Sequence, residues 1–215
     1  MMSIITPDWP APPNVAAGTS TKLAPIGVLP RELQYLNQVH GADVVPIEQV
    51  RRARAPIDAD AVTGREPGDH CAVRTADCLP ILFCARDGSE IAAAHGGWRG
   101  VHAGIIEATI AALDTDSSDL LVWMGPAISQ ENFEVGEEVR EAFVADDPNA
   151  AACFEPNARG RWQADLYGLA RQRLHNCRVR EIYGGDWCTY RDARLFYSFR
   201  RDADSARMVT FIHLK

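Results

Sequence analysis

Residues 79–113 read LPILFCARDGSEIAAAHGGWRGVHAGIIEATIAAL, and the change of period inside this stretch decides the fold class. Residues 79–84 (LPILFC) and 90–94 (EIAAA) are dense apolar runs of buried-strand length. After HGGWRG the period changes: Val101, Ile105, Ile106, Ile110 and Leu113 recur at helical spacing and predict one amphipathic helix of about three turns. Upstream, residues 36–47 (LNQVHGADVVPI) predict two strands around a tight turn carrying His40, and residues 60–64 and 70–74 predict two further strands. Downstream, strands are expected at 120–124, 181–183 and 208–213, and helices at 136–144 and 165–174, the latter capped by Asp165. Residues 146–149 (DDPN) and 159–161 (RGR) read as surface loops. Strands outnumber helices and several follow one another directly, so the expected class is α+β with mixed sheets. No Gly-x-Gly-x-x-Gly opens the principal helix, which leaves a Rossmann cofactor site unsupported.

The bulk numbers set the outer limits. A chain of 215 residues is long enough for one well-buried domain, and we expect a single domain over 1–215. Its net charge of -7 argues against a nucleic-acid partner, since such domains usually present a basic face. Residues 1–14 lack a basic segment followed by an apolar one and are broken by four prolines, so export is not indicated. No apolar run approaches the ~20 residues that span a bilayer, so no membrane partner and a cytoplasmic location are expected. Six cysteines at irregular spacing then read as reduced thiols.

Three segments place one soft or imidazole ligand beside an apolar run and small residues: QVHGAD, TADCLP and AAHGGWRG. They contribute His40, Cys78 and His95. Zinc prefers imidazole nitrogen and thiolate sulfur, and a catalytic zinc takes three protein ligands while leaving one position open. Glycine directly after His40 and after His95 removes bulk where a small molecule would approach. The spacing resembles no compact metal motif, and on residue types alone two satisfied buried histidines and an inert buried cysteine are the favoured reading. Arg99 enters a helix from a glycine-rich turn, beside free backbone N–H groups and the positive end of a helix dipole. It is a candidate anion ligand, or else a solvated first-turn residue beside a packed Trp98.

Residues 184–202 crowd Cys188, Tyr190, Arg191, Tyr197, Ser198, Arg200 and Arg201 into one glycine- and aromatic-rich region. Aromatic faces suit a planar base and arginines suit anionic oxygens, so this region is a candidate site wall; a charged hairpin is the alternative. Cys71, Cys84, Cys153 and Cys177 read as packing residues, and His70, His102, His175 and His213 as structural.

The segments NQVHGADV, DADAVTG, TADCLPILF, AAAHGGWRG, GPAIS with FEVG, DLYGLAR, GDWCTYRD and FYSFRRD occur in one order from residue 37 onward. In this the chain resembles the YfiH-like family, known also under the names multicopper polyphenol oxidase (laccase-like), peptidoglycan editing factor and purine nucleoside phosphorylase. The resemblance implies a four-layer α/β/β/α sandwich, a zinc held by His40, Cys78 and His95, and phosphorolysis of adenosine, inosine and S-methyl-5′-thioadenosine together with adenosine deamination. Zinc suits the deamination because it brings the pKa of its water to about 7. Within that implied chemistry Arg99 is the candidate for holding inorganic phosphate, and Cys78 and Asp77 join it as catalytic candidates, Asp77 as a proton shuttle or a turn cap. Cys188, Tyr190 and Arg200 join Arg99 as candidates for contact with the nucleoside. The family's other names imply alternatives: a copper-dependent polyphenol oxidase or a peptidoglycan editing factor. A Cys–His hydrolase with Cys78 as nucleophile is a further one. Six histidines without a His-x-His pair speak against a multicopper cluster. Residues 1–35 are shorter than the family's usual start, which implies a trimmed pocket wall; a monomer or small homo-oligomer is expected.

Overall fold

The computed structural model describes residues 3–25, 27–204 and 206–215. In chain order the elements are β1 (Ile4–Ile5), β2 (Val15–Ser20), β3 (Val44–Pro46), α1 (Ile47–Arg52), β4 (Ala61–Gly64), β5 (His70–Thr75), β6 (Leu79–Ala85) and β7 (Ile91–Gly96). They continue with α2 (Trp98–Ala103), α3 (Ile105–Ala111), β8 (Leu120–Met124), β9 (Glu134–Val135), α4 (Glu137–Asp146), β10 (Phe154–Pro156) and β11 (Trp162–Ala164). The last elements are α5 (Leu166–Asn176), β12 (Glu181–Gly184), α6 (Phe199–Asp202) and β13 (Met208–Leu214).

The fold is α+β with mixed sheets. A six-stranded sheet runs in the order β12-β8-β6-β7-β4-β3, with parallel pairs at both ends and antiparallel pairs between. A four-stranded antiparallel sheet, β1-β2-β13-β5, packs against it, and a small sheet, β10-β11-β9, stands apart.

The deciding stretch explains this layering. In β6, Ile81 and Phe83 belong to the core shared with Ile105 and Ile106 of α3 and Leu169 and Leu174 of α5. Leu82 and Cys84, pointing the other way, belong to the core shared with Cys71 and Val73 of β5 and Ile212 of β13. A strand buried on both faces must be apolar at every position, which is why LPILFC shows no alternation. Each such fully buried side chain contributes about 1.5–3 kcal/mol. The outer face of the four-stranded sheet, at Ala72, Val209 and Phe211, is covered by Leu29, Leu33 and Tyr35. Those three residues lie in a segment without helix among the described residues.

Three local expectations are corrected. The single helix over 101–113 is two helices, because Gly104 takes a left-handed φ of 94° that ends α2 and starts α3. The two strands expected in 36–47 reduce to β3, since the amides of residues 39–41 bond to the Asp60 carboxylate instead of to a neighbouring strand. Residues 146–149 are not an open loop: Asp146 closes α4, and the Asp147 side chain caps a 3₁₀ turn over Pro148–Cys153. Asp165 caps α5 as expected, accepting from Gly168 N–H at 2.9 Å.

Candidate active site

His40, Cys78 and His95 converge from three separate segments. Their ligating atoms all lie within 4.8 Å of one another. Cys78 Sγ is 3.9 Å from His40 Nε2, inside the sum of one zinc–sulfur and one zinc–nitrogen bond, about 4.4 Å. His95 ends β7 and is 3% exposed, Cys78 directly precedes β6, and His40 is exposed on its turn. The trio is therefore buried on one side and open to solvent on the other. With two imidazoles and a thiol, this donor set fits zinc.

Asp60, directly before β4, builds the centre, and the sequence reading gave it no role. Its buried carboxylate accepts from the amides of Val39, His40 and Gly41 at 3.2, 3.0 and 2.7 Å, and faces His95 Nδ1 at 2.7 Å. His40 has a left-handed φ of 61°, unfavourable for a residue with a Cβ, and the three amide bonds hold it there. The bond at Nδ1 leaves His95 Nε2 as the free ligating nitrogen, the arrangement that orients metal-bound imidazoles. Burial alone would raise the Asp60 carboxyl; the His95 ring and the Gly41 and His40 amides hold it below its ordinary value. The pointer in the sequence was DADAVTG, whose second aspartate stands alone before an apolar strand.

The electrostatics of the trio follow from this. Burial opposes the Cys78 thiolate, yet the His40 and His95 rings bring the thiol down to about 6. Burial likewise opposes a charged His95, yet Asp60 and Cys78 lift it to about 9. Each shift favours the charged form of its group, thiolate on Cys78 and imidazolium on His95.

The glycine that gives access is Gly97. A Cβ there would lie 2.8 Å from His40 Cδ2 and 3.2 Å from Cys78 Sγ. Gly41, by contrast, would meet nothing closer than 3.6 Å, and Gly96 is required by packing against the Leu79 carbonyl at 2.9 Å.

A cavity of about 440 Å³ opens over the trio, lined also by Asn37, Gln38, Arg74, Thr75, Ala76, Phe199 and Arg207. Several expected residues are elsewhere. Arg99 is exposed on the first turn of α2 with its guanidinium 4.4 Å from the centre of its own neighbour Trp98, whose ring packs on the helix-side core; it does not line the cavity. Nor do Cys188, Tyr190 and Arg200. Cys188 is fully buried, its sulfur accepting from Ser129 N and Oγ, Asn132 Nδ2 and Arg191 N. Burial would raise this thiol, and those donors hold it below its usual range. Arg200 turns to the Glu134 carbonyl and the Phe133 ring. Tyr190 is 36% exposed, with its carbonyl held by Arg201. The region 184–202 thus reaches the cavity through Phe199 alone.

Asp77 explains how Phe199 is held. Its Oδ1 accepts from Thr189 Oγ1 at 2.6 Å, and its Oδ2 from Ser198 Oγ at 3.0 Å and Arg200 N at 2.7 Å. Both oxygens are thus engaged in fastening residues 189–200 to the Cys78 turn. Of the remaining histidines, His70 stacks on His213, His102 meets Asp146 and the Phe143 ring, and His175 is exposed. All six cysteines are free thiols, as expected.

Residues 10–215 match the family model described as multi-copper polyphenol oxidoreductase laccase. The chain is 42% identical to "Purine nucleoside phosphorylase YfiH" of Escherichia coli (strain K12) over 245 aligned positions, covering all of both sequences. It is likewise 42% identical, over all of both sequences, to "Purine nucleoside phosphorylase PA4543" of Pseudomonas aeruginosa. Among solved structures, protein NMB0706 of Neisseria meningitidis superposes with a TM-score of 0.91 at 37% identity over 99% of both chains. YlmD of Geobacillus stearothermophilus gives 0.83 at 26% identity over 94% of this chain and 93% of its own. No helix among the described residues is long and apolar enough to cross a membrane. With the motifs, the layered fold and these full-length relatives in agreement, the chain belongs to the YfiH family of laccase-like proteins.

Proposed function

We propose that this chain is a zinc-dependent purine nucleoside phosphorylase acting on adenosine, inosine and S-methyl-5′-thioadenosine, with adenosine deamination as a second activity. The observation that carries this reading is the single cavity that places His40, Cys78 and His95 beside an aromatic ring and cationic side chains. The names of the full-length relatives from Escherichia coli and Pseudomonas aeruginosa support the phosphorylase class.

His40, Cys78 and His95 would hold the metal, which when bound supplies a Lewis acid at the mouth of the cavity. The protein's own part is positioning. Phe199 offers a ring to the purine, and Asp60 fixes the tautomer of His95. In phosphorolysis one oxygen of orthophosphate bonds to C1′ as the C1′–N9 bond breaks. The electron pair leaves on the purine, which takes up a proton, and the sugar departs as its 1-phosphate.

A Cys–His hydrolase with Cys78 as nucleophile draws on the 3.9 Å approach of His40 to the sulfur. Ligation of zinc through that sulfur removes the free nucleophile, so metal content separates the two readings. A multicopper oxidase needs several ligand clusters, and one group of three or more His, Cys, Asp or Glu ligands is found among the described residues.

The test is elemental analysis of the purified protein, followed by a purine nucleoside panel with and without phosphate. One zinc per chain, free base released only with phosphate, and ammonia from adenosine are the expected results. Base release that ignores phosphate, or a metal-free active protein, would overturn the reading.

A further inference from the structure

The cavity over the metal trio carries a charge pattern that the trio does not explain. In a chain of net charge -7, its lining holds two arginines, Arg74 and Arg207, and no carboxylate. Neither guanidinium forms an ion pair among the described residues; Arg74 reaches only the Leu36 carbonyl, at 3.5 Å, and Arg207 only the carbonyls of Asp204 and Ala206. An arginine beside neutral partners keeps donors free for an anion.

The register brings the two together. Arg74 on β5 pairs with Val209 on β13, and Thr75 with Met208. Arg207 stands directly before β13, two residues from Val209, which puts it close to the diagonal position from Arg74. Diagonal positions lie about 7–8 Å apart, within reach of long side chains, and like charges on neighbouring positions repel unless a counter-charge sits between them. Aromatic rings back both cations: Tyr35 lies 5.0 Å from the Arg74 guanidinium and Phe199 5.7 Å from that of Arg207. Thr75 also borders the cavity, 1% exposed, and its buried Oγ1 has no hydrogen-bond partner.

We infer that Arg74 and Arg207 form the subsite for a phosphate group in this cavity. This rests on, and deepens, the phosphorylase reading: it moves the phosphate from the α2 start, where Arg99 is, to the end of β5. Arg74 near the end of β5 and Cys78 directly before β6 are four residues apart, so anion and metal sites share a single scaffold. The phosphate is either free orthophosphate, the second substrate, or the 5′-phosphate of a nucleotide.

Titration calorimetry of the metal-loaded protein with inorganic phosphate, and separately with adenosine monophosphate, tests the subsite without relying on turnover. Wild type, Arg74→Gln, Arg207→Gln and the double variant are compared, with Arg54→Gln controlling for the loss of one surface charge. Affinity is expected to fall tenfold or more in each single variant and to vanish in the double variant, with Arg54→Gln within twofold of wild type. Loss confined to orthophosphate identifies the co-substrate, and loss confined to the nucleotide identifies the 5′-phosphate. Unchanged phosphate affinity in both single variants, or a tenfold loss in Arg99→Gln instead, overturns the assignment. Phosphate bound as expected by a protein that releases no base would overturn the phosphorylase reading and leave the subsite standing.

Discussion

Asp60 grips His95 twice: its carbonyl accepts the His95 amide at 2.7 Å, and its carboxylate Oδ1 lies 2.7 Å from Nδ1 of the same residue. The same carboxylate clamps the turn that carries His40, so one side chain positions two of the three ligands. Asp60→Asn keeps the size of the group and removes its charge, and it sets an amide donor against N–H groups. Outer partners of metal ligands typically contribute 10–100-fold in affinity, so zinc binding should weaken by roughly that factor. Competition against a calibrated chelator measures it. An affinity within threefold of wild type would show that Asp60 serves packing and not the metal.

The Cys78–His95 pair makes a pH prediction that depends on its sign. The Cys78 thiol is depressed to about 6, so alone it adds stability that is present above its unfolded value and lost as pH falls through 6. His95 is raised to about 9, so alone it adds stability that is present below its unfolded value and lost as pH rises through 9. Between these limits the two trends oppose each other, and the stability of the metal-free protein should be nearly level with pH. The signature is spectroscopic: thiolate absorbance of the metal-free protein should titrate near 6 and disappear in Cys78→Ser. Zinc binding at pH 7.5 should release about one proton, since imidazole must be neutral to ligate. A thiol titrating near its ordinary value would refute the paired state.

How much of this was readable beforehand follows from what each signal depends on. The β6 and β7 runs and the Asp165 cap were legible because they rest on local apolarity and on one side chain bonding three residues along. The trio was legible as residue types, and its identity as a site came with the resemblance. Asp60 was not, since its function lies in bonds to residues 39–41 and 95, which no local pattern reveals. The expected wall lies away from the cavity for the same reason. Cys188 and Arg200 look like site residues by composition, but Ser129, Asn132 and Glu134 claim their polar groups from a distant segment. Arg74 carries no motif of its own; only the pairing of β5 with β13 sets it beside Arg207.

Gly97→Ala tests access to the metal. The backbone at Gly97 has φ -66° and ψ 155°, which alanine adopts without strain. The new methyl would nevertheless stand 2.8 Å from His40 Cδ2 and 3.2 Å from Cys78 Sγ, distances that force the ligands apart. Thermal stability of the metal-free protein should therefore change by less than about 1 kcal/mol, while zinc stoichiometry falls well below one. Full zinc occupancy together with wild-type turnover would show that the His40 turn yields freely.

Asp77 separates a chemical role from a positioning one. Both carboxylate oxygens accept from Thr189, Ser198 and the Arg200 amide, bonds that make Asp77 a tether of the loop. Asp77→Asn would turn an amide donor toward groups that are themselves donors, which costs about 1–3 kcal/mol in a buried setting. The expected outcome is a lower melting temperature and a higher nucleoside KM, because Phe199 loses its tether, with the shape of the kcat/KM pH profile kept. Thr189→Val removes one of the same bonds and should move both quantities the same way by a smaller amount. Loss of one limb of the pH profile in Asp77→Asn, with KM and melting temperature unchanged, would instead make Asp77 a proton carrier and would require its carboxylate to leave the loop it holds.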